Sequence, residues 1–135
     1  MFTLKNDLKN EKRILITGGA GFIGGNLIRR LISDSNFKIF NLDKIGYASS
    51  LTGVDNILKS LGSDVVDRYQ LLRVDLADYQ SVEEAVCEAD PDLVFHLAAE
   101  SHVDRSINSP ISFINSNVIG TFNLLQAVRL HWENL

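Results

Sequence analysis

The sequence has no Lys/Arg block, a single cysteine, and no apolar run long enough to cross a bilayer. Each absence removes a class of function. Without a basic cluster, and with a formal charge of −4, neither nucleic acid nor an anionic membrane surface is an expected partner. One cysteine cannot build an internal disulfide framework and fits a reducing, cytoplasmic setting. The charged first residues do not read as a signal peptide, and no segment reaches the roughly 20 apolar residues of a membrane helix. No His/Cys/Asp cluster has metal-ligand spacing, so no metal is expected. Repeats and low-complexity tracts are missing too. What remains is an ordinary apolar fraction of 45% in 135 residues, enough for one domain with a genuine core.

The densest information lies in Ile14-Leu15-Ile16-Thr17-Gly18-Gly19-Ala20-Gly21-Phe22-Ile23-Gly24. A β-branched run feeds a glycine loop that opens an amphipathic helix, which is the order of a dinucleotide site. Gly19, Gly21 and Gly24 satisfy Gly-x-Gly-x-x-Gly, while Gly18, Gly21 and Gly24 satisfy Gly-x-x-Gly-x-x-Gly. Glycine is expected to supply left-handed dihedrals in the turn and to let the backbone approach a pyrophosphate. The helix N–H groups and positive dipole end then face the anion. An acidic residue about 20 positions on completes the fingerprint, and Asp43 supplies it at the end of Lys38-Ile39-Phe40-Asn41-Leu42.

Residues 1–12 are polar and charged and read as a flexible leader; residues 13–135 read as a partial dinucleotide-binding domain. Strands are expected at 13–17, 37–42, 70–74 and 93–97. Helices are expected at 22–33, at 55–61 within the Ser/Gly/Asn-rich connection 46–63, at 81–89, and from Pro110 onward. In the segment 22–33, Ile23, Leu27 and Leu31 share one face, with Ile28 and Ile32 beside it. Val82, Ala85, Val86 and Ala89 form the buried face of 81–89, which stops at Asp90-Pro91 because proline disfavours helix in the residue before it. The continuous apolar run 93–97 suits a sheet covered on both faces. Ser109 as N-cap and Pro110 at the first helical position start the last helix, and Ile111, Ile114, Val118, Phe122, Leu125 and Val128 make its apolar stripe.

Strands and helices thus alternate as β-α-β-α-β-α-β-α. That pattern calls for an α/β fold, a doubly wound parallel sheet of strand order 3-2-1-4 with its ligand over the strands' carboxyl ends. A complete fold of this kind continues with further strands. The chain is therefore expected to be one half of such a protein, with strand 93–97 at an open edge and part of the last helix uncovered. Self-association would follow.

Asp43 is the candidate for the adenosine ribose: its carboxylate accepts hydrogen bonds from ribose hydroxyls and repels a 2′-phosphate, which favours NAD over NADP. Lys44 beside it is a potential phosphate partner, and an aspartate after a strand is also ordinary turn chemistry. Asp75-Leu76 holds the equivalent position after the next strand, as an acceptor for adenine or as a plain capping turn. In His96-Leu97-Ala98-Ala99-Glu100-Ser101-His102-Val103-Asp104-Arg105-Ser106, two small alanines would let a flat ligand lie against the backbone, with the polar run at the mouth of the crevice; a mere connecting loop is the alternative. His96 reads as a strand-end residue with a satisfied hydrogen bond, Cys87 as a small helix residue, and His102 and His131 as surface histidines.

Taken together, the glycine motif, Asp43-Lys44, Asp75-Leu76 and the run from His96 to Ile107 resemble the extended short-chain dehydrogenase/reductase family. Within that family the last run is most similar to the dTDP-glucose 4,6-dehydratases, NAD-dependent lyases of nucleotide-sugar metabolism. The resemblance covers nearly the whole chain from Arg13. It implies a Rossmann-like fold with Gly18, Gly21 and Gly24 in the loop and backbone contacts from Phe22 and Ile23 to the pyrophosphate. It further implies Asp43, Lys44, Ile45 and Gly46 around the ribose, Asp75 and Leu76 around adenine, and Leu97, Ala98, Ala99 and Glu100 on the nicotinamide side. Ser101 would touch the sugar nucleotide, and Ser116 stands where the family usually carries a threonine at a cofactor contact. Gly25 replaces a common serine, and Gly46 a position usually filled by a side chain.

The family reaction moves hydride from sugar C4 to NAD⁺, removes water across C5–C6 and returns the hydride to C6. Its base is a tyrosine whose pKa is lowered by a lysine four residues later. Here Tyr47 is followed by Leu51, Tyr69 by Arg73 and Tyr79 by Glu83. No catalytic residue is therefore assigned, the substrate domain is expected to be absent, and the chain alone is expected to be inactive. Full-length relatives are expected to be homodimers. A non-catalytic nucleotide-binding remnant, or part of a sugar-nucleotide epimerase or decarboxylase, are the competing readings.

Overall fold

The computed structural model describes residues 11–46 and 48–135. The expected leader, apart from Glu11 and Lys12, lies outside the described residues, as does Tyr47. From Arg13 the order is β1 (Arg13–Thr17), α1 (Phe22–Asp34), β2 (Lys38–Leu42), α2 (Thr52–Leu61), α3 (Ser63–Val66), β3 (Tyr69–Leu72), α4 (Tyr79–Ala89) and β4 (Leu93–His96). Then come α5 (Val103–Asn108), α6 (Pro110–Phe113), a π-helical stretch Ile114–Ile119, and α7 (Gly120–Glu133). The four strands form one parallel sheet of order β3-β2-β1-β4, as the alternation of elements predicts.

The period-2 alternation of each strand divides its side chains between two helical layers. Leu15, Phe40, Leu42 and Leu72 point into a cluster with Val82, Val86 and Ala89 of α4 and Leu124, Ala127 and Val128 of α7. Ile14, Ile16 and Ile39 point the other way, onto Ile28 and Ile32 of α1 and Val54 and Leu58 of α2. Phe40, at 1% exposure, is among the largest fully buried side chains. At the amino-terminal end of the sheet the Arg13 guanidinium lies 4.6 Å from its ring centroid. Arg13 also donates from Nε to Ala89 O (2.7 Å) and from an η nitrogen to Glu88 O (3.0 Å). A cation thereby caps the carbonyls at the end of α4.

Several expectations are corrected. On α1 the buried face is Gly24, Ile28 and Ile32; Leu27 and Leu31 flank it, and Ile23 is 68% exposed, because α1 meets the sheet along its glycine side. β4 is covered on both faces, but only in part: Val94 packs on one cluster and Phe95 on the other, both half-buried at the sheet edge beside β1, and Leu93 is 47% exposed. Ser109 precedes α6 but its side chain makes no cap hydrogen bond; its carbonyl instead accepts from Ser112 N–H and Oγ–H. The single final helix is broken by the π-helical stretch, whose wider turns shift the phase of everything after it. Only Val128 of the six-residue stripe is buried; the buried face of α7 is Gly120, Asn123, Leu124, Ala127 and Val128. Ile111, Ile114, Val118, Phe122 and Leu125 are exposed.

Phe40 is central to the core on the α4/α7 side, so Phe40→Ala is expected to lower the unfolding free energy by about 3–5 kcal/mol. Urea denaturation followed by circular dichroism checks this; a loss under about 1 kcal/mol would mean the site collapses around the cavity.

Candidate functional site

The carboxyl ends of the strands meet at one groove, and backbone contact decides its shape. Gly18 follows β1 with φ of +73°, and a Cβ there would stand 2.6 Å from the Ala98 backbone. Only glycine permits both the left-handed conformation and the approach. Gly24, one turn into α1, lets the helix settle on this loop, since a Cβ would lie 2.2 Å from Gly18 O. Gly21 is the N-cap of α1 with φ of −80°, so the left-handed geometry expected of the turn is confined to Gly18. The first turn of α1 has no side-chain cap, leaving N–H groups for another acceptor.

Across the loop, Asp43 is 92% buried, its residual exposure being 8%. Its Oδ2 accepts from Ala20 N–H (3.0 Å) and its Oδ1 from Ile45 N–H (2.8 Å) and Ser49 Oγ–H (3.5 Å). The carboxylate is thus also a latch between the glycine loop and the connection after β2. Ile45 is held at φ of +57°, a strained conformation for a β-branched residue. The Asp75 Oδ1 accepts from Ala77 N–H (3.0 Å), the turn chemistry that was one of its two readings. Leu76 is buried, and its carbonyl accepts from Asn123 Nδ2–H (2.8 Å) on α7.

The β4 side is held by a chain of hydrogen bonds whose direction can be deduced. Thr121 Oγ1 donates its only proton to Asn117 O (2.7 Å), so it accepts from His96 Nε2–H (2.9 Å). His96 Nδ1 is therefore the acceptor for Thr17 Oγ1–H (2.6 Å). The lone pairs of the Thr17 oxygen accept from Leu97 N–H and Ala98 N–H, each 3.2 Å. Every group is satisfied when His96 is neutral, and burial lowers its pKa accordingly. Next along, Asn117 in the π-helical stretch accepts from Glu100 N–H (2.8 Å) and donates to Glu100 O (2.9 Å). Lys44 Nζ then reaches back across the groove to Glu100 Oε1 at 3.7 Å.

One cavity is lined by Gly18, Asp43, Lys44, Gly46, Asp75, Leu76, Leu97, Ala98, Ala99, Glu100, Ser101 and Ser116, all singled out from the sequence. Ser49, His102 and Arg105 join them. Gly21, Phe22, Ile23 and Gly24 lie outside that lining, on the loop and first turn of α1, and so does Ile45. Thr17, Asn117, Ser49 and Arg105 were missed. Two polar asparagines bracketing Ser116 in an apolar helix were the available signal for Asn117. Neither described tyrosine is prepared as a base: burial raises the Tyr69 pKa, and desolvation followed by the Glu83 carboxylate raises that of Tyr79. Among the described residues no His/Cys/Asp/Glu group is arranged to hold a metal, and no helix is long and apolar enough to cross a membrane.

Comparison with known proteins agrees with this fold. Residues 15–135 match the family model described as GDP-mannose 4,6 dehydratase. The chain belongs to the GDP-mannose 4,6 dehydratase family. It is 41% identical over 127 residues to the dTDP-glucose 4,6-dehydratase of Neisseria gonorrhoeae, covering 94% of this chain and 35% of that protein. The Bacillus anthracis dTDP-glucose 4,6-dehydratase in complex with NAD superposes with a TM-score of 0.71 at 30% identity, over 89% of this chain and 34% of that one. The Thermus thermophilus UDP-glucose 4-epimerase complex with NAD gives 0.72 at 33% identity, over 88% and 34%. This member of the 4,6 dehydratase family spans about a third of the length of such relatives.

The lowered His96 pKa carries a sign. An unfolded histidine titrates near about 6.5, so below that pH the unfolded chain binds more protons than the folded one. Stability is expected to be complete above about pH 6.5 and to fall as pH drops toward the lower folded value. Thermal melts between about pH 5 and 8 check this, with a shallower slope in His96→Gln; identical slopes would show that the histidine is not held neutral.

Proposed function

We propose that residues 13–135 are the NAD-binding part of a nucleotide-sugar 4,6-dehydratase acting on dTDP-glucose, with the base and most of the sugar site supplied by polypeptide equivalent to the other two-thirds of the relatives. The observation that carries this reading is the single cavity running from Asp43 and Asp75, over the Cβ-free backbone at Gly18, to Ala98–Ser101. A Cβ at Gly18 would collide with the Ala98 backbone, so the cradle's two sides meet as they do only with glycine there, and an uncapped helix N-terminus stands beside it for the pyrophosphate. Asp43 would take the ribose hydroxyls, Asp75 and Leu76 the adenine, Phe22 and Ile23 N–H the pyrophosphate. Leu97 to Glu100 and Ser116 would line the nicotinamide side, with Ser101 toward the sugar. Bound there, the cofactor supplies reversible hydride transfer.

The exposed cysteine, Cys87, suits a reducing cytoplasm. Neither nucleic acid nor a membrane is a partner in this reading. The open edge of β4 and the apolar surface of Val118, Phe122 and Leu125 favour self-association of the isolated chain and homodimers of the longer relatives. A 4-epimerase is the second reading, favoured by the superposition on the Thermus thermophilus enzyme; the 41% identity to a dTDP-glucose 4,6-dehydratase supports the first.

If Asp43 holds the ribose, NAD⁺ is expected to bind about tenfold or more tighter than NADP⁺, the value of a charged hydrogen bond. Asp43→Ala is expected to narrow that ratio. Because Asp43 also latches the loop, the ratio from calorimetric titration is the readout, and equal affinities in the parent chain would overturn the assignment.

Turnover is expected to be undetectable when the purified 135-residue chain is incubated with NAD⁺ and dTDP-glucose, since general acid and base groups each contribute about 10²–10⁴ in rate and no tyrosine of this sequence has a lysine four residues later. Formation of the 4-keto-6-deoxy product by this chain alone would refute that expectation.

A further inference from the structure

Resting on the dinucleotide reading, we infer that Glu100 sets the choice between a free and a phosphorylated 2′-ribose position by holding Lys44 away from it. A lysine directly after the ribose aspartate is the natural counter-ion for a 2′-phosphate, and Lys44 stands there with its side chain 42% exposed. Its ammonium is instead 3.7 Å from Glu100 Oε1, on the opposite wall of the groove. Lys44 runs past Gly46, where a Cβ would lie 3.8 Å from its Cε, and directs its ammonium to the β4 side.

Glu100 can hold that position because its own backbone is clamped. Asn117 engages both its N–H and its carbonyl, at 2.8 and 2.9 Å, from the π-helical stretch. The Glu100 carboxylate springs from a fixed point, is 25% exposed, and so holds a partner better than an open surface pair would. Asp43 is turned to the glycine loop instead: its oxygens accept from Ala20, Ile45 and Ser49, and the acceptor capacity left is what the proposed ribose contact uses. The two carboxylates divide the work: Asp43 repels a 2′-phosphate directly, and Glu100 removes the nearest cation that would compensate. Specificity then comes from an element of repulsion together with the withdrawal of an attraction. Arg105 also lines the cavity and is the rival source of positive charge.

The test uses ADP-ribose and its 2′-phosphate, which lack the nicotinamide and so report on the adenosine side. Their affinities are measured by calorimetry for the full chain, Glu100→Gln, Lys44→Met and the double variant. Glu100→Gln is expected to raise the ratio of 2′-phosphate to unphosphorylated affinity by about twofold to fivefold, the yield of releasing one partly exposed ion pair. The double variant is expected to lose that gain. A gain that survives Lys44→Met would mean that loss of a negative charge, or Arg105, is responsible, and would overturn the inference. So would an unchanged ratio in Glu100→Gln, or a Lys44→Met single variant that lowers the ratio as far as Glu100→Gln raises it. Failure of the parent chain to bind ADP-ribose at all would remove the dinucleotide reading itself, and this inference with it.

Discussion

Two backbones touch where Gly18 meets Ala98, with no room for a Cβ between them. The groove exists because the chain turns away from the sheet on both sides of that contact. Thr17, just before it, is fully buried and uses its one hydroxyl three times: it donates to His96 and accepts from the Leu97 and Ala98 amides. The Leu97 amide also donates to the Thr17 carbonyl at 3.1 Å, while the Ala98 amide relies on the hydroxyl; an amide left buried without a partner costs about 1–3 kcal/mol. A valine of the same shape would fill the same space and take this partner from His96 Nδ1 and Ala98 N–H.

From that point the network runs outward through side chains that replace backbone partners. His96 passes the connection to Thr121, and Thr121 to the Asn117 carbonyl, while the Asn117 amide mimics a strand neighbour for Glu100. The π-helical stretch makes this possible. Its wider turns turn Ser116 and Asn117 toward the groove while α7 beyond it lays Gly120, Asn123 and Leu124 against α4 and the Leu76 region. π-helical turns are frequent at functional sites, and here Ser116 lines the cavity while Asn117 holds the Glu100 backbone. The cost is visible on the far side, where Ile111, Ile114, Val118, Phe122 and Leu125 are left toward solvent.

Much of this was legible in one dimension. Period-2 apolar runs alternating with helical spacing imply a parallel sheet, and the crossover rule leaves few orders for four strands. The glycine loop and Asp43 are readable because their requirements are local: a turn, a close approach, a carboxylate at a strand end. The run from His96 to Ile107 is dense enough in small and polar residues to announce a ligand wall. For the same reason the buried face of α4 was legible residue by residue, since Val82, Ala85, Val86 and Ala89 lie within an uninterrupted helix.

Tertiary structure decided what depends on phase and on partners distant in sequence. A stripe at helical spacing predicts burial only if the helix keeps 3.6 residues per turn, and six π-helical residues, Ile114–Ile119, break that rule. The exposure of Ile23 follows from which side of α1 the sheet accepts, and glycine rather than isoleucine marks that side. Thr17, Asn117 and the Lys44–Glu100 pair join residues 17 to 81 positions apart; nothing local to any of them signals its partner. Sequence alone determined which groups could meet a nucleotide, because that chemistry is written in residue types. Which of those groups are already spoken for, and by whom, was settled only when the chain folded and buried polar atoms had to find hydrogen bonds.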